Sequence, residues 1–171
     1  MSPMEKTSST KKAPETGKFK LDLAVRFATN EAAKLKVKPA DFEKLLLKVV
    51  AVLRKNPLLG AKMKGGVIHA VLTRDDEIEM LNAAYRGKEE PTDVISLSYF
   101  DELNFPGEND LVGEIMISVE TAKQQAKEHG HSLNTELRFL FVHGLLHLFG
   151  FDHKTAREKK AMFALQDEVL G

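Results

Sequence analysis

Three histidines, His143, His147 and His153, are spaced so that one divalent metal ion could collect all three imidazoles. On a helix of 3.6 residues per turn, side chains four apart lie on one face and one turn apart, so His143 and His147 offer two ring nitrogens to one point. Gly150 stands three residues after His147, where a left-handed residue can end a helix and let the chain double back; this predicts that His153 closes the open side. Phe139 to Phe149 is apolar almost all round, so the helix is expected to be buried, and neutral imidazoles inside a core need partners for their nitrogens. A metal ion supplies one to each. A catalytic zinc takes three protein ligands and leaves a fourth position to water, which fits a set of three histidines. The remaining histidines read differently. His69 lies in an apolar strand-like run, and His129 and His131 flank Gly130 in a turn between helices, so these are expected to be structural or solvated.

The same spacing occurs in the metzincin proteases, whose motif is His-Glu-x-x-His-x-x-Gly-x-x-His. Gly144 stands where those enzymes carry the glutamate that takes a proton from the metal-bound water. Metal binding survives that change, whereas peptide hydrolysis is disfavoured. Zinc alone lowers the pKa of its water to about 7, so a nucleophile for another hydrolysis is still available.

The run His143-Gly144-Leu145-Leu146-His147-Leu148-Phe149-Gly150-Phe151-Asp152-His153 resembles the signature of the YbeY endoribonucleases, the ribosomal RNA maturation factors. Leu81 to Lys88, running on to Pro91-Thr92-Asp93-Val94-Ile95-Ser96, resembles the family's second block, and Gly113-Glu114-Ile115-Met116-Ile117-Ser118 its third. The resemblance covers about residues 19 to 171. It implies a single-strand-specific, metal-dependent endoribonuclease of ribosomal RNA processing and ribosome quality control. His143, His147 and His153 would be the metal ligands, the ion one divalent cation such as Zn2+, and Arg86 the functional arginine. Read from the residues alone, Arg86 only closes a short helix, yet a guanidinium fork does match the non-bridging oxygens of a phosphodiester gathering charge. The resemblance further implies small ribosomal subunit proteins and an assembly GTPase as partners, and a cytoplasmic location. Two departures stand out: Leu97-Ser98 replaces the family's usual Phe-Pro, and Glu114 its usual Asp. Asp152 is the nearest acid to the ligands in sequence and Glu114 a weaker candidate base. The rival readings are an RNA- or ribosome-binding assembly factor with a structural metal, and a metalloprotease lacking its base.

Composition sets bounds around this site. The 171 residues, 43% hydrophobic, suffice for one domain with a proper core. Residues 1–18, rich in Ser, Thr, Lys and Pro, are expected to form a disordered tail without the apolar core of a signal peptide, leaving 19–171 as the hydrolase domain. The chain has no cysteine, which excludes disulfides and thiolate metal sites. No apolar stretch approaches the roughly 18 residues needed to cross a bilayer, so no membrane partner is expected. Net charge is zero but uneven: residues 1–64 carry 15 Lys/Arg against 6 Asp/Glu, residues 65–171 carry 10 against 19. Lys34, Lys36, Lys38, Lys44, Lys48, Arg54, Lys55, Lys62 and Lys64 could therefore steer a polyanion, or form an ordinary solvated surface.

The positioning elements follow from periodicity. Phe19 to Phe27 alternates as a strand; Pro39 opens a helix with the stripe Phe42, Leu45, Leu46, Val49, Val50 and Leu53. A strand is expected at 66–72, a short helix from Asp75 bearing Ile78, Leu81 and Tyr85 and ending at Arg86, and strands at 93–98 and 112–118 around a turn at Pro106-Gly107. Ser118 and Ser132 should cap the next two helices, the second carrying His143 and His147. A last helix over 154–170 has the core stripe Met162, Leu165 and Val169. The pattern predicts an α+β single domain: about four strands in a mixed sheet and about five helices, with a central buried helix carrying His-x-x-x-His.

Overall fold

The computed structural model describes residues 20–55, 65–100, 106–107 and 110–171. The expected tail, Lys62, Lys64 and much of the 104–110 loop lie outside them. Four strands, β1 (Lys20–Phe27), β2 (Gly65–Thr73), β3 (Val94–Ser98) and β4 (Leu111–Ser118), form one sheet in the order β1-β2-β4-β3. β1 and β4 each run parallel to β2, whereas β3 pairs antiparallel with β4 at the edge.

Among the described residues six helices join them: α1 (Asn30–Ala33), α2 (Pro39–Leu53), α3 (Asp75–Arg86), α4 (Val119–His129), α5 (Leu133–Leu148) and α6 (Ala156–Leu170). The sixth is α1, a single turn too short for periodicity to reveal; the Thr29 side chain caps it by accepting from the Ala32 N–H. The α+β domain expected from the pattern is the one observed.

α2 buries all six residues of its apolar stripe, because their spacing puts them on one face. That face meets α5, where Phe42 and Phe141 pack edge to face with centroids 4.8 Å apart. Ile68, Ala70 and Leu72 of β2 and Ile115 and Ile117 of β4 close the same core. α5 is buried almost all round, as its composition requires, with Leu137, Leu140, Phe141, Val142, Leu145 and Leu146 at most 2% exposed. On the opposite face of the sheet, α3 packs over β3 and β4, and its Leu81 lines a recess with Leu97 and Met116. Tyr85, expected on that helix's packing stripe, is instead 62% exposed, at the same recess, which it lines with Leu97, Tyr99 and Met116.

Candidate active-site cleft

α5 presents His143 and His147 on one face, with ring centroids 4.7 Å apart and Nε2 atoms 3.1 Å apart. Two nitrogens bound tetrahedrally to one zinc at about 2.0–2.1 Å would lie roughly 3.3 Å apart, so this pair already stands at the separation of fellow ligands. The helix ends in a Schellman turn: Gly150 donates to the His147 carbonyl, and Phe151 reaches back to that of Leu146. Gly150 has φ +94°, a conformation that favours glycine, and it reverses the chain as its position predicts. The His153 ring then comes to lie 5.5 Å from that of His143 and 5.0 Å from that of His147. One ligand atom from each histidine falls within 4.8 Å of the others, and among the described residues no carboxylate joins the group. Three imidazoles so placed could hold one divalent ion with a position left open.

The His143 ring is held by its far nitrogen. The Gln166 side chain, fully buried on α6, donates through Nε2 to the Phe139 carbonyl at 3.2 Å, which turns its Oε1 toward His143 Nδ1 at 3.1 Å. An amide oxygen can only accept, so His143 carries its proton on Nδ1 and keeps Nε2 free for the cleft. Burial pushes the imidazole of His143 below its ordinary pKa of 6.5; burial, with His143 and His153 nearby, does the same to His147. Both rings therefore stay neutral, the form that binds metal.

Gly144 has a reason of its own. A Cβ here would stand 2.8 Å from Ile115 Cγ2 and 3.1 Å from both Ser96 Oγ and Val94 Cγ2, and its carbonyl accepts from Ser96 Oγ at 2.8 Å. α5 lies so close to β3 and β4 that only glycine fits, so the position next to the first histidine is a packing contact with the sheet.

The three histidines line a cleft of about 610 Å³ together with Arg86, Thr92, Asp93, Val94, Ser96, Asp152 and Lys154. Arg86 gets there because α3 ends on it; Gly87, at φ +68°, then turns the chain toward Thr92 and Asp93. The cleft's acids are both engaged. Asp93 accepts from Val94 N at 2.8 Å and from Gln125 Nε2 at 3.0 Å; Asp152 accepts from His153 N at 2.8 Å and meets Lys154 Nζ at 3.3 Å. The backbone N–H of His153 in particular holds the Asp152 carboxyl below the usual carboxylate range.

Sequence reasoning named Asp152 but missed Asp93 and Gln166. Glu114 is not part of the cleft. It pairs in register with Leu97 and His69 on the opposite face of the sheet, where it accepts from Tyr99 Oη at 2.7 Å and meets His69 Nδ1 at 3.3 Å. His69 thus has a carboxylate partner, while Leu97 and Ser98 also stand outside the cleft. None of the described N-terminal lysines lines it either; Lys48 of α2 donates to the Val169 carbonyl and Lys55, just after α2, pairs with Glu168, so both are directed at α6.

The fold and the site define an α+β domain whose mixed sheet backs a three-histidine cleft with an arginine among its lining. A family model described as Endoribonuclease YbeY matches residues 27–171, and the chain belongs to that family. Endoribonuclease YbeY of Heliobacterium modesticaldum is 44% identical over 120 residues, 66% of this chain and 72% of that one. Its counterpart from Bacillus licheniformis is 45% identical over 114 residues, 62% of this chain and 71% of that one. The solution structure of TM1509 from Thermotoga maritima covers 86% of both chains at TM-score 0.54 and 23% identity, a likeness of fold. The family that the three motifs resemble is therefore the family found.

Proposed function

We propose that this chain is a single-strand-specific, metal-dependent endoribonuclease that hydrolyses phosphodiesters of ribosomal RNA, in RNA processing and ribosome quality control in the cytoplasm. The observation that carries the reading is the convergence of His143, His147 and His153 in one cleft with Arg86, without a fourth protein ligand among the described residues. An open position is the mark of a catalytic rather than a structural zinc site, which disfavours the assembly-factor reading. The donor set suits Zn2+, though imidazole also suits nickel, copper and iron. A bound ion would supply Lewis acidity and lower the pKa of water in the cleft.

The chain's own residues do the rest. Arg86 binds two non-bridging oxygens of the scissile phosphate through its guanidinium fork and opposes the charge that gathers there. Gln166 keeps the proton of His143 on Nδ1, so that Nε2 faces the cleft. In the reaction a new O–P bond forms from water, the P–O bond to the leaving ribose oxygen breaks, and the water's proton ends on that oxygen. Single-stranded RNA suits a cleft without a groove-reading helix or ribbon, because an unpaired backbone can bend to present one phosphate. Family membership supports small-subunit proteins and an assembly GTPase as the physiological company. Among the described residues no helix is long and apolar enough to cross a membrane.

Product ends test this directly. With an end-labelled single strand, water attack leaves one phosphomonoester and one hydroxyl terminus, and the activity disappears on chelation and returns with Zn2+. A 2′,3′-cyclic phosphate would show attack by the RNA's own 2′-hydroxyl, and cleavage undiminished by chelation would remove the metal from the reaction.

A further inference from the structure

We propose a second divalent-metal site, at the turn between α4 and α5, formed by His129, His131 and Glu136. The sequence alone gives these histidines no role beyond structure or solvation. The fold, however, brings both imidazoles onto one carboxylate. His129 Nδ1 lies 3.3 Å and His131 Nε2 2.6 Å from the same oxygen, Glu136 Oε2, and the ligand atoms of all three fall within 4.8 Å of one another. The two rings have centroids 5.4 Å apart, inside the 4.7–5.5 Å range of the cleft histidines.

The His129 contact has the geometry of a hydrogen bond, but three features favour an ion here over hydrogen bonds alone. Glu136 is 1% exposed, and a buried carboxylate is costly without a cation to balance it. Among the described residues its only ion-pairing partners are these two imidazoles. Then, although His131 Nε2 is buried and comes within 2.6 Å of Glu136 Oε2, it forms no hydrogen bond, because the approach lacks hydrogen-bond geometry. At 2.6 Å the two atoms stand closer than the roughly 3.3 Å of fellow tetrahedral ligands, so an ion entering here would spread them apart. Finally, two histidines and a glutamate are an established donor set for zinc, and the 59% exposed ring of His129 leaves a side open to water.

The site is separate from the cleft. Glu136 and His143 are seven residues apart on α5, about 10 Å along the helix axis. An ion held there ties the α4–α5 turn to the first turns of the helix that carries the cleft, so its effect is on stability and not on the chemical step.

Equilibrium dialysis against Zn2+ followed by metal counting tests it, comparing wild type with the double variant His129→Ala/His131→Ala. We expect the variant to hold one ion fewer per chain and to gain less in melting temperature from Zn2+, while His153→Ala keeps the turn ion. A folded double variant that binds as many ions as wild type overturns the site. Should the double variant not fold, His129→Ala alone removes a mostly solvent-facing ring. Weakened binding of one ion is then expected, and unchanged binding overturns the proposal.

Discussion

At the scale of single residues, the cleft depends on atoms that never touch a substrate. Gln166 fixes the tautomer of His143 through two hydrogen bonds, one to Nδ1 and one to the Phe139 carbonyl. Gln166→Leu keeps the volume but leaves Nδ1 unpaired, and zinc affinity should fall by about 10- to 100-fold, read by competition with a chromophoric chelator. Unchanged affinity would mean that packing alone orients the ring. Gly144 is as constrained. In Gly144→Ala the new methyl meets Ile115, and urea unfolding should lose about 1–3 kcal/mol with little change in slope. Acid acts on the same ring nitrogens. His143 and His147 have folded pKa values below the ordinary 6.5, so the unfolded chain binds protons that the native state refuses. The metal-free protein should keep full stability above about pH 6.5 and lose it as pH falls from there through the depressed folded values. Flat stability across that window, measured by denaturation at several pH values, would contradict the burial of these rings.

At the scale of elements, the turn after α5 decides whether two histidines become three. Gly150 occupies the left-handed region at φ +94°, where a side chain would cost about 1–2 kcal/mol. Gly150→Ala should therefore lower melting temperature and weaken zinc binding together, because the strain is relieved by moving His153; lost stability with intact zinc affinity would uncouple the turn from the site. Much of this was legible beforehand. A pair at four-residue spacing, a terminating glycine and a returning histidine are all local signals, and the α2 stripe and the Ser118 and Ser132 caps were read from the same kind of pattern. What escaped was tertiary. Gln166 sits one helical turn after Met162 on α6, a polar residue within an otherwise apolar stripe, and that misfit was the available signal. Asp93 stood within the second family block, but nothing local singled it out, since only folding brings the start of β3 against α5. α1 was too short to show a period, and the register of β4 that carries Glu114 away from the cleft follows from sheet pairing.

At the scale of the molecule, the sheet separates two environments. One face supports α5 and the cleft; the other holds His69, Tyr99 and Glu114. Charge follows a different division, because the basic N-terminal third supplies none of the described cleft cations, which are Arg86 and Lys154. Under the proposed function, phosphate recognition would rest on Arg86 more than on a broad basic face. Since an ion would join residues of α5 to the loop before α6, zinc at about 100 times its dissociation constant should stabilise the fold by about 2.7 kcal/mol, seen as a rise in melting temperature. The most direct test is cleavage of an end-labelled single-stranded RNA by wild type and Arg86→Glu, with bound metal counted in the same preparations. The account predicts that the variant retains its metal and loses about 10²- to 10³-fold in rate. Equal cleavage by both proteins would contradict it.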